Sequence, residues 1–350
     1  MKHIKPFIGI ENQKESDSVP FSLIVCTYMR SKALKTLLQS VEKQTRLPTE
    51  ILIIDGSTNT ETTEMINNFP LKTRYFLVDQ NNRGLTKQRN FGIERVAANS
   101  EIVCFLDDDT VLAPTYFEAI LNTYAQYPEA LGVGGFITNE ISCWPAENKS
   151  YSKTNYFEYG GYVRLESLRF KARKWLGLDS NLPPGFMPEY GHGRSISFLP
   201  PDGKIYEVNF FMGGVASYRK EIFKKLQFSQ YFEGYGLYED AHFCLQLSNL
   251  GKLFVNTAAQ LEHHHDVQGR PNQYKYGKMV VRNGWFVWRT KYPHPSFKNK
   301  FKWHVITLLL MYIRFTNVLN TKQRKAAFTE FLGRKISWIN VLLGNKPKLE

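Results

Sequence analysis

The sequence lacks the landmarks that would classify it at a glance. Its first apolar strand, Phe21 to Cys26, runs into Thr27-Tyr28-Met29-Arg30, without a glycine. The Gly-x-Gly-x-x-Gly turn of a dinucleotide-binding dehydrogenase is thus missing from the place where that fold needs it. A Walker-type phosphate loop is missing too, so any bound phosphate must be held by basic side chains and a metal. The four cysteines (Cys26, Cys104, Cys143, Cys244) have no close spacing, which argues against disulfides or thiolate metal ligands. Cys26 and Cys104 stand inside predicted strands as small apolar residues, a usage that suits a reducing compartment. The opening Met1-Lys2-His3-Ile4-Lys5 has no signal-peptide apolar stretch. The apolar segment Trp303 to Leu319 is interrupted by Arg314, and its uncharged part falls short of the ~20 residues needed to span a bilayer.

Acidic residues are scarce in one region only. From Pro271 to the end, 16 Lys or Arg face two acids, Glu330 and Glu350, a balance of +14 out of the chain's +13. The first 270 residues hold the remaining 29 basic and 30 acidic residues, a balance of −1. The basicity belongs to a C-terminal tail and calls for an anionic partner, with a membrane surface expected rather than nucleic acid. Trp285, Phe286, Trp288 and the Trp303 segment interleave aromatics with Lys and Arg. This pattern fits either a surface-lying amphipathic anchor or a helical hairpin packed on the main domain with a solvated basic face.

Strands and helices alternate through the first half. Strands are predicted at Phe21–Cys26, Glu50–Ile54, Tyr75–Val78, Ile102–Leu106 and Leu131–Ile137, with helices at Ser31 to about Gln44, Thr60–Phe69, Leu85–Ala97 and after Pro114. That order predicts an α/β fold, a mostly parallel sheet with helices on both faces. Ligands of such sheets bind beyond the carboxyl ends of the strands, where Thr27, Asp55, Asp79 and Asp107 fall. The fourth strand delivers three consecutive acids, Asp107-Asp108-Asp109. Adjacent carboxylates repel, and a hard divalent cation is one way to keep them together; a solvated acidic turn is the other.

Periodicity fades from Asn139 to about Val208, a Tyr-, Pro- and Gly-rich stretch read as long loops over the sheet. Its Tyr156, Tyr159, Tyr162 and Phe186 either stack on sugar rings or hold the loops down. Order resumes at Asn209–Ser217, where Gly213-Gly214 marks a close backbone approach to a ligand or another strand. Phe232 to Asp240 is a glycine-containing loop ending in Glu239-Asp240, followed by a helix at Ala241–Leu250 and a short strand at Leu253–Val255. Asp240 is either the N-cap of that helix or a carboxylate held beside the loop that admits substrate. In Glu262-His263-His264-His265-Asp266, histidine beside acids is a plausible metal-ligand set, though at most one or two of three adjacent histidines can reach one ion.

These pieces, in this order, resemble the family-2 glycosyltransferases of GT-A fold. The resemblance covers about residues 21 to 265 and rests on Val25 to Arg30, on Ile53-Ile54-Asp55-Gly56-Ser57, on Asn82 to Asn90 leading into Phe105 to Asp109, and on Glu239-Asp240 followed by His263. It implies a lead-in at 1–20, a nucleotide-sugar-binding half at 21–138, an acceptor-binding and catalytic half at 139–270, and a basic helical extension at 271–350. It implies that Thr27, Tyr28, Asp55, Arg89, Asp107 and Asp108 bind the donor, a UDP-sugar by default. Asp109 and His263 hold Mn or Mg, Gly213, Gly214 and Glu239 border a saccharide or lipid-linked acceptor, and Asp240 is the base of an inverting displacement. Cys26 and Met29 stand where the family often has Pro and Asn, which leaves the nucleotide base open. The Gln-x-x-Arg-Trp signature of processive synthases is absent, so a single-addition enzyme of the bacterial cell-surface glycan type is expected. It would be cytoplasmic and peripheral on the inner face of the membrane. Two rivals remain: a nucleotidyltransferase on a similar sheet, although the glycine-rich basic loop after the first strand is missing, and a non-enzymatic membrane- or nucleic-acid-binding protein acting through the tail.

Overall fold

The computed structural model describes residues 19–147, 151–232, 235–265, 272–320 and 322–345. The expected lead-in up to residue 18, and the readings made at Glu233, Gly234, Asp266, Pro271 and residues 346–350, lie outside them. In chain order the elements are β1 (Phe21–Thr27), α1 (Ser31–Glu42), β2 (Glu50–Asp55), α2 (Glu61–Asn67), β3 (Arg74–Leu77), α3 (Leu85–Ile93), β4 (Ile102–Asp107), β5 (Thr110–Leu112), α4 (Tyr116–Gln126) and β6 (Ala130–Ile137). They continue with β7 (Cys143–Pro145), β8 (Tyr156–Tyr159), β9 (Tyr162–Leu165), α5 (Leu168–Trp175), β10 (Ile205–Val208), β11 (Val215–Arg219), α6 (Glu239–Leu247) and β12 (Lys252–His263). Three long helices close the described chain: α7 (Gln273–Lys291), α8 (Phe297–Asn320) and α9 (Arg324–Leu342).

The main sheet runs β10-β12-β6-β11-β4-β1-β2-β3, with β5 added to β12. Strands β4, β1, β2 and β3 are mutually parallel. Strand β11 then enters antiparallel between β4 and β6, so the sheet is mixed beyond its expected parallel part. Strands β1, β2 and β4 are buried on both faces, which is why they read as apolar runs. One core layer joins Leu23, Val25, Ile53 and Cys104 to α1 and α4; the other joins Ile24, Ile54, Phe105 and Tyr218 to α6. Register sets the rim: Thr27 lies opposite Asp55, and Cys26 opposite Asp107.

Two stretches differ from the sequence reading. The predicted loops at 139–208 contain a three-stranded sheet, β7-β9-β8, together with α5 and β10. Tyr156, Tyr159 and Tyr162 are strand residues of a hairpin that turns on Gly160-Gly161, both at positive φ, a conformation glycine adopts without steric cost. The expected short strand at 253–255 is the first part of the twelve-residue β12. Its pairing with β6 is interrupted between Val255 and Gln260. Polar Asn256 and Thr257 break the apolar pattern there, and their side chains tie the irregular segment down. The Asn256 amide donates to the Ala119 carbonyl at 3.0 Å, and the Thr257 hydroxyl to the Lys204 carbonyl at 2.9 Å.

The C-terminal helices dock on the sheet domain. Asn283 donates to the Leu237 carbonyl at 2.9 Å, and the Trp288 indole to the Glu189 carbonyl at 2.9 Å. Trp285, Trp288 and Trp303 form a buried cluster with centroids 4.8–5.7 Å apart. Helices α7 and α9 cross at two glycines. A Cβ on Gly277 would stand 2.1 Å from the Glu330 carbonyl oxygen, and one on Gly333 2.1 Å from that of Tyr274. The obstructing atoms are backbone, so the helices themselves must separate to admit a methyl group. Gly277→Ala is therefore expected to cost about 1–3 kcal/mol, read as a lower thermal midpoint with faster amide exchange in α9.

Candidate active site

The carboxyl ends of β1 and β4, the start of α6 and the end of β12 enclose a cleft of about 850 Å³. Thr27, Tyr28, Asp107, Asp108, Asp109, Glu239, Asp240 and His263 all line it. Residues from four well-separated stretches of sequence therefore meet at one place.

The acidic triplet divides by environment. Asp107 is the most open, and its Oδ1 lies 3.5 Å from the Arg89 guanidinium. Asp108 turns inward, accepting from the Thr27 hydroxyl at 2.7 Å and from Arg30 at 3.1 Å. Burial pushes its carboxyl up to about 6 against the pull of Arg30. Asp109 has one oxygen 3.4 Å from Arg30 and the other 3.1 Å from His263 Nε2. His263 reaches this position because β12 pairs with β5 and sets it opposite Thr110.

Donor atoms of Asp107, Asp109 and His263 all fall within 4.8 Å of one another. Two carboxylates and an imidazole at that separation fit a divalent cation such as Mn2+. Glu140 stands behind the imidazole, 3.4 Å from His263 Nδ1 and 2.8 Å from His265 Nε2. A carboxylate on the far ring nitrogen orients a ligating histidine. Burial alone would lower the His263 imidazole, but hydrogen bonds to Asp109 and Glu140 outweigh it and carry it up to about 10. His263 would give up this proton on binding a cation.

The α6 wall carries the second pair of acids. Asp240 Oδ2 accepts from the Gly213 amide at 3.1 Å and Oδ1 from the Ala241 amide at 2.7 Å. Burial raises its carboxyl despite these two bonds. Glu239 is buried and bonded to Arg89; desolvation pushes its carboxyl upward against that guanidinium. Tyr238, just before them, has a left-handed backbone (φ 71°) and lines the cleft.

Four expected site residues lie behind the cleft wall. Arg89 is 3% exposed and bridges Glu239 and Asp107 from below. Gly213 and Gly214 make room for that bridge: a Cβ on Gly214 would stand 2.1 Å from Asp107 Oδ2, and one on Gly213 2.6 Å from an Arg89 nitrogen. Asp55 is fully buried, accepting from the Ser57 amide and the Tyr75 hydroxyl at 2.8 Å each. Sequence reasoning assigned no role to Arg30, Arg83, Gln88 or Glu140. Arg83 lines the cleft, with its guanidinium 5.8 Å from the centre of the Tyr28 ring. Gln88 ties the ends of β1 and β2 together by donating to the Thr27 and Ile54 carbonyls at 3.1 and 2.7 Å. Arg30, Arg83 and Gln88 sit inside motifs read for their neighbours; Glu140 has no signal in the sequence.

The glycosyl transferase family 2 model matches residues 22–227, more than half of the chain and most of the sheet just described. The chain belongs to glycosyl transferase family 2. Its fold is of the GT-A type, extended by α7–α9. Among curated members, it is 26% identical over 139 residues to a glucosyl-dolichyl phosphate glucuronosyltransferase of Haloferax volcanii, covering 39% of this chain and 43% of that protein. It is 26% identical over 116 residues to the glycosyltransferase GlyA of Streptococcus pneumoniae, covering 33% of this chain and 16% of that one. The matches thus span less than half the length of these relatives. Among solved structures, S. aureus TarS aligns with a TM-score of 0.49 and 16% identity, over 92% of this chain and 48% of that one. The matched residues include the β1 and β4 walls of the cleft. No helix among the described residues is long and apolar enough to cross a membrane.

Proposed function

We propose that this family member is an inverting, metal-dependent enzyme that moves one sugar from a nucleoside diphosphate to a hydroxyl of a saccharide or lipid-linked acceptor. The observation that carries this reading is the convergence of Asp107, Asp109 and His263 with Asp240 on one cleft. The reading divides the roles by wall. Thr27, Tyr28 and Arg83 flank the nucleotide, with Asp55 and Asp108 shaping that side from behind. Asp107 faces the donor, and Asp109 and His263 hold the cation. When bound, Mn2+ or Mg2+ supplies Lewis-acid stabilisation to a leaving diphosphate. Asp240 takes the proton of the acceptor hydroxyl as it attacks. Two backbone amides fix the Asp240 carboxylate in orientation, while burial keeps it basic. Glu239 and the glycine pair flank the acceptor side, and Arg89 sets the spacing between the two walls. With Asp240 as base rather than nucleophile, the acceptor oxygen attacks the oxocarbenium-like centre directly as the bond to the diphosphate breaks, one displacement and hence inversion. A UDP-sugar remains the default donor. A lipid-linked acceptor is supported by the dolichyl phosphate in the name of the Haloferax relative and by the basic helices, which suit a peripheral site at an anionic membrane.

The test is a nucleotide-sugar panel assayed with and without Mn2+ or Mg2+. The expected result is metal-dependent release of a nucleoside diphosphate, with inorganic diphosphate release pointing to a nucleotidyltransferase instead. His263→Ala is expected to weaken Mn2+ binding, measured by calorimetry, by more than the roughly 10–100-fold that loss of a supporting hydrogen bond costs. Wild-type Mn2+ affinity in His263→Ala would remove the imidazole from the ligand set.

A further inference from the structure

Helix α8 has two faces of different character. Trp303, Ile306 and Thr307 are buried against the rest of the protein. On the other side Phe301, Val305, Leu308, Tyr312, Phe315 and Leu319 recur at intervals of four and three residues, a spacing that puts them on one stripe. None is buried: Phe301 is 61%, Tyr312 64% and Leu319 76% exposed. So long an exposed apolar face on a soluble surface marks an interaction site.

Charge identifies what covers it. Among the described residues of α7–α9 the one acid is Glu330, and it is buried between Arg314 and Arg334 at 2.6 Å from each. The exposed surface of this unit therefore carries cations only. Lys298, Lys300 and Lys302 lie at the start of α8. Beyond its end, Lys322, Arg324 and Lys325 join Lys275 and Lys278 around a groove of about 750 Å³ between the starts of α7 and α9, with no acid among the described residues of its walls. A second copy docked stripe to stripe would set these cations against one another without a compensating acid. An anionic bilayer offers hydrocarbon to the stripe and phosphate to its basic surroundings.

We infer that α8 is an in-plane membrane helix, its Phe301–Leu319 stripe seated in the interface of an anionic bilayer and the adjoining basic groove occupied by lipid phosphate. This deepens the reading of a lipid-linked acceptor and rests on it for its purpose. A monolayer-deep anchor holds the protein at the surface where such an acceptor is presented.

The full chain is to be sedimented with phosphatidylcholine vesicles, with and without phosphatidylglycerol. Binding is expected only with phosphatidylglycerol, and to weaken with salt. Tyr312→Glu combined with Phe315→Glu is expected to reduce vesicle binding at least ~10-fold while circular dichroism stays unchanged. Lys322→Glu combined with Arg324→Glu and Lys325→Glu tests the groove and is expected to lower binding to acidic vesicles by a similar factor. Inorganic phosphate, added as competitor at constant ionic strength, should not release the protein; release would mean that the groove takes free phosphate rather than headgroups. No sedimentation with acidic vesicles overturns the inference, as does a wild-type dimer that Tyr312→Glu converts to monomer without affecting vesicles. Donor hydrolysis in the absence of vesicles is measured in parallel, so failure of the anchor is distinguished from failure of the transferase reading.

Discussion

Asp240→Asn is expected to lower kcat for sugar transfer by about 10²–10⁴-fold while leaving nucleotide binding near wild type. That range is what a positioned general base contributes. The asparagine is isosteric, but its one carbonyl oxygen can accept from only one of the Gly213 and Ala241 amides, so nucleotide binding and the thermal midpoint are measured beside kcat to separate lost basicity from lost orientation. The acid limb of the pH profile gives a second readout. Below its own pKa, Asp240 carries a proton and cannot take another. Burial raises that pKa, so activity falls with acidification earlier than it would for a solvent-exposed aspartate. Asp240→Asn should flatten this limb. A variant with wild-type kcat and an unchanged acid limb would exclude Asp240 as the base.

The largest expected effect on stability is at Arg89. Arg89→Met removes a cation held between Glu239 and Asp107 and stacked near Phe105 and Phe228, 5.7 and 5.2 Å from their ring centres. Glu239 would then be a buried carboxylate without its partner, which costs about 3–5 kcal/mol. Typical domain stabilities are about 5–15 kcal/mol, so the variant should unfold at visibly lower denaturant. Adding Glu239→Gln to Arg89→Met is expected to restore much of the loss, because no charge is then stranded. If Arg89→Met alone unfolds within about 1 kcal/mol of wild type, Glu239 is neutral in the folded protein and the pair does not brace the cleft.

Legibility in the sequence followed pattern length. Strands β1, β2 and β4 were readable because a strand buried on both faces must be apolar throughout. Their polar exits, Thr27 and Asp107, follow directly from where those runs stop. The hairpin β8–β9 was not readable, because its strands are four residues each and its double glycine resembles loop composition. The second half of β12 was hidden by Asn256 and Thr257, whose bonds to backbone carbonyls replace the missing ladder. In the site, Asp109, Asp240 and His263 belong to motifs with internal order. Glu140 is one carboxylate in the turn that follows a glycine-containing strand, and its partners at His263 and His265 arrive only through β6–β12 pairing. Partnerships of that kind are set by tertiary register, which no local window contains.

Strand β12 is the last strand among the described residues, yet it lies inside the sheet and pairs with β10, β6 and β5. These pairings span large sequence separations, and contacts of that type slow folding because the closure entropy must be met first. On the ribosome, β6 and β10 emerge long before their common partner and wait with open edges. A chain arrested before Lys252 would therefore leave β5, β6 and β10 without the strand they share and hold Asp109 without His263, a species suited to chaperone capture or aggregation. The cluster of Asp107, Asp109 and His263 is thus complete only when the sheet is.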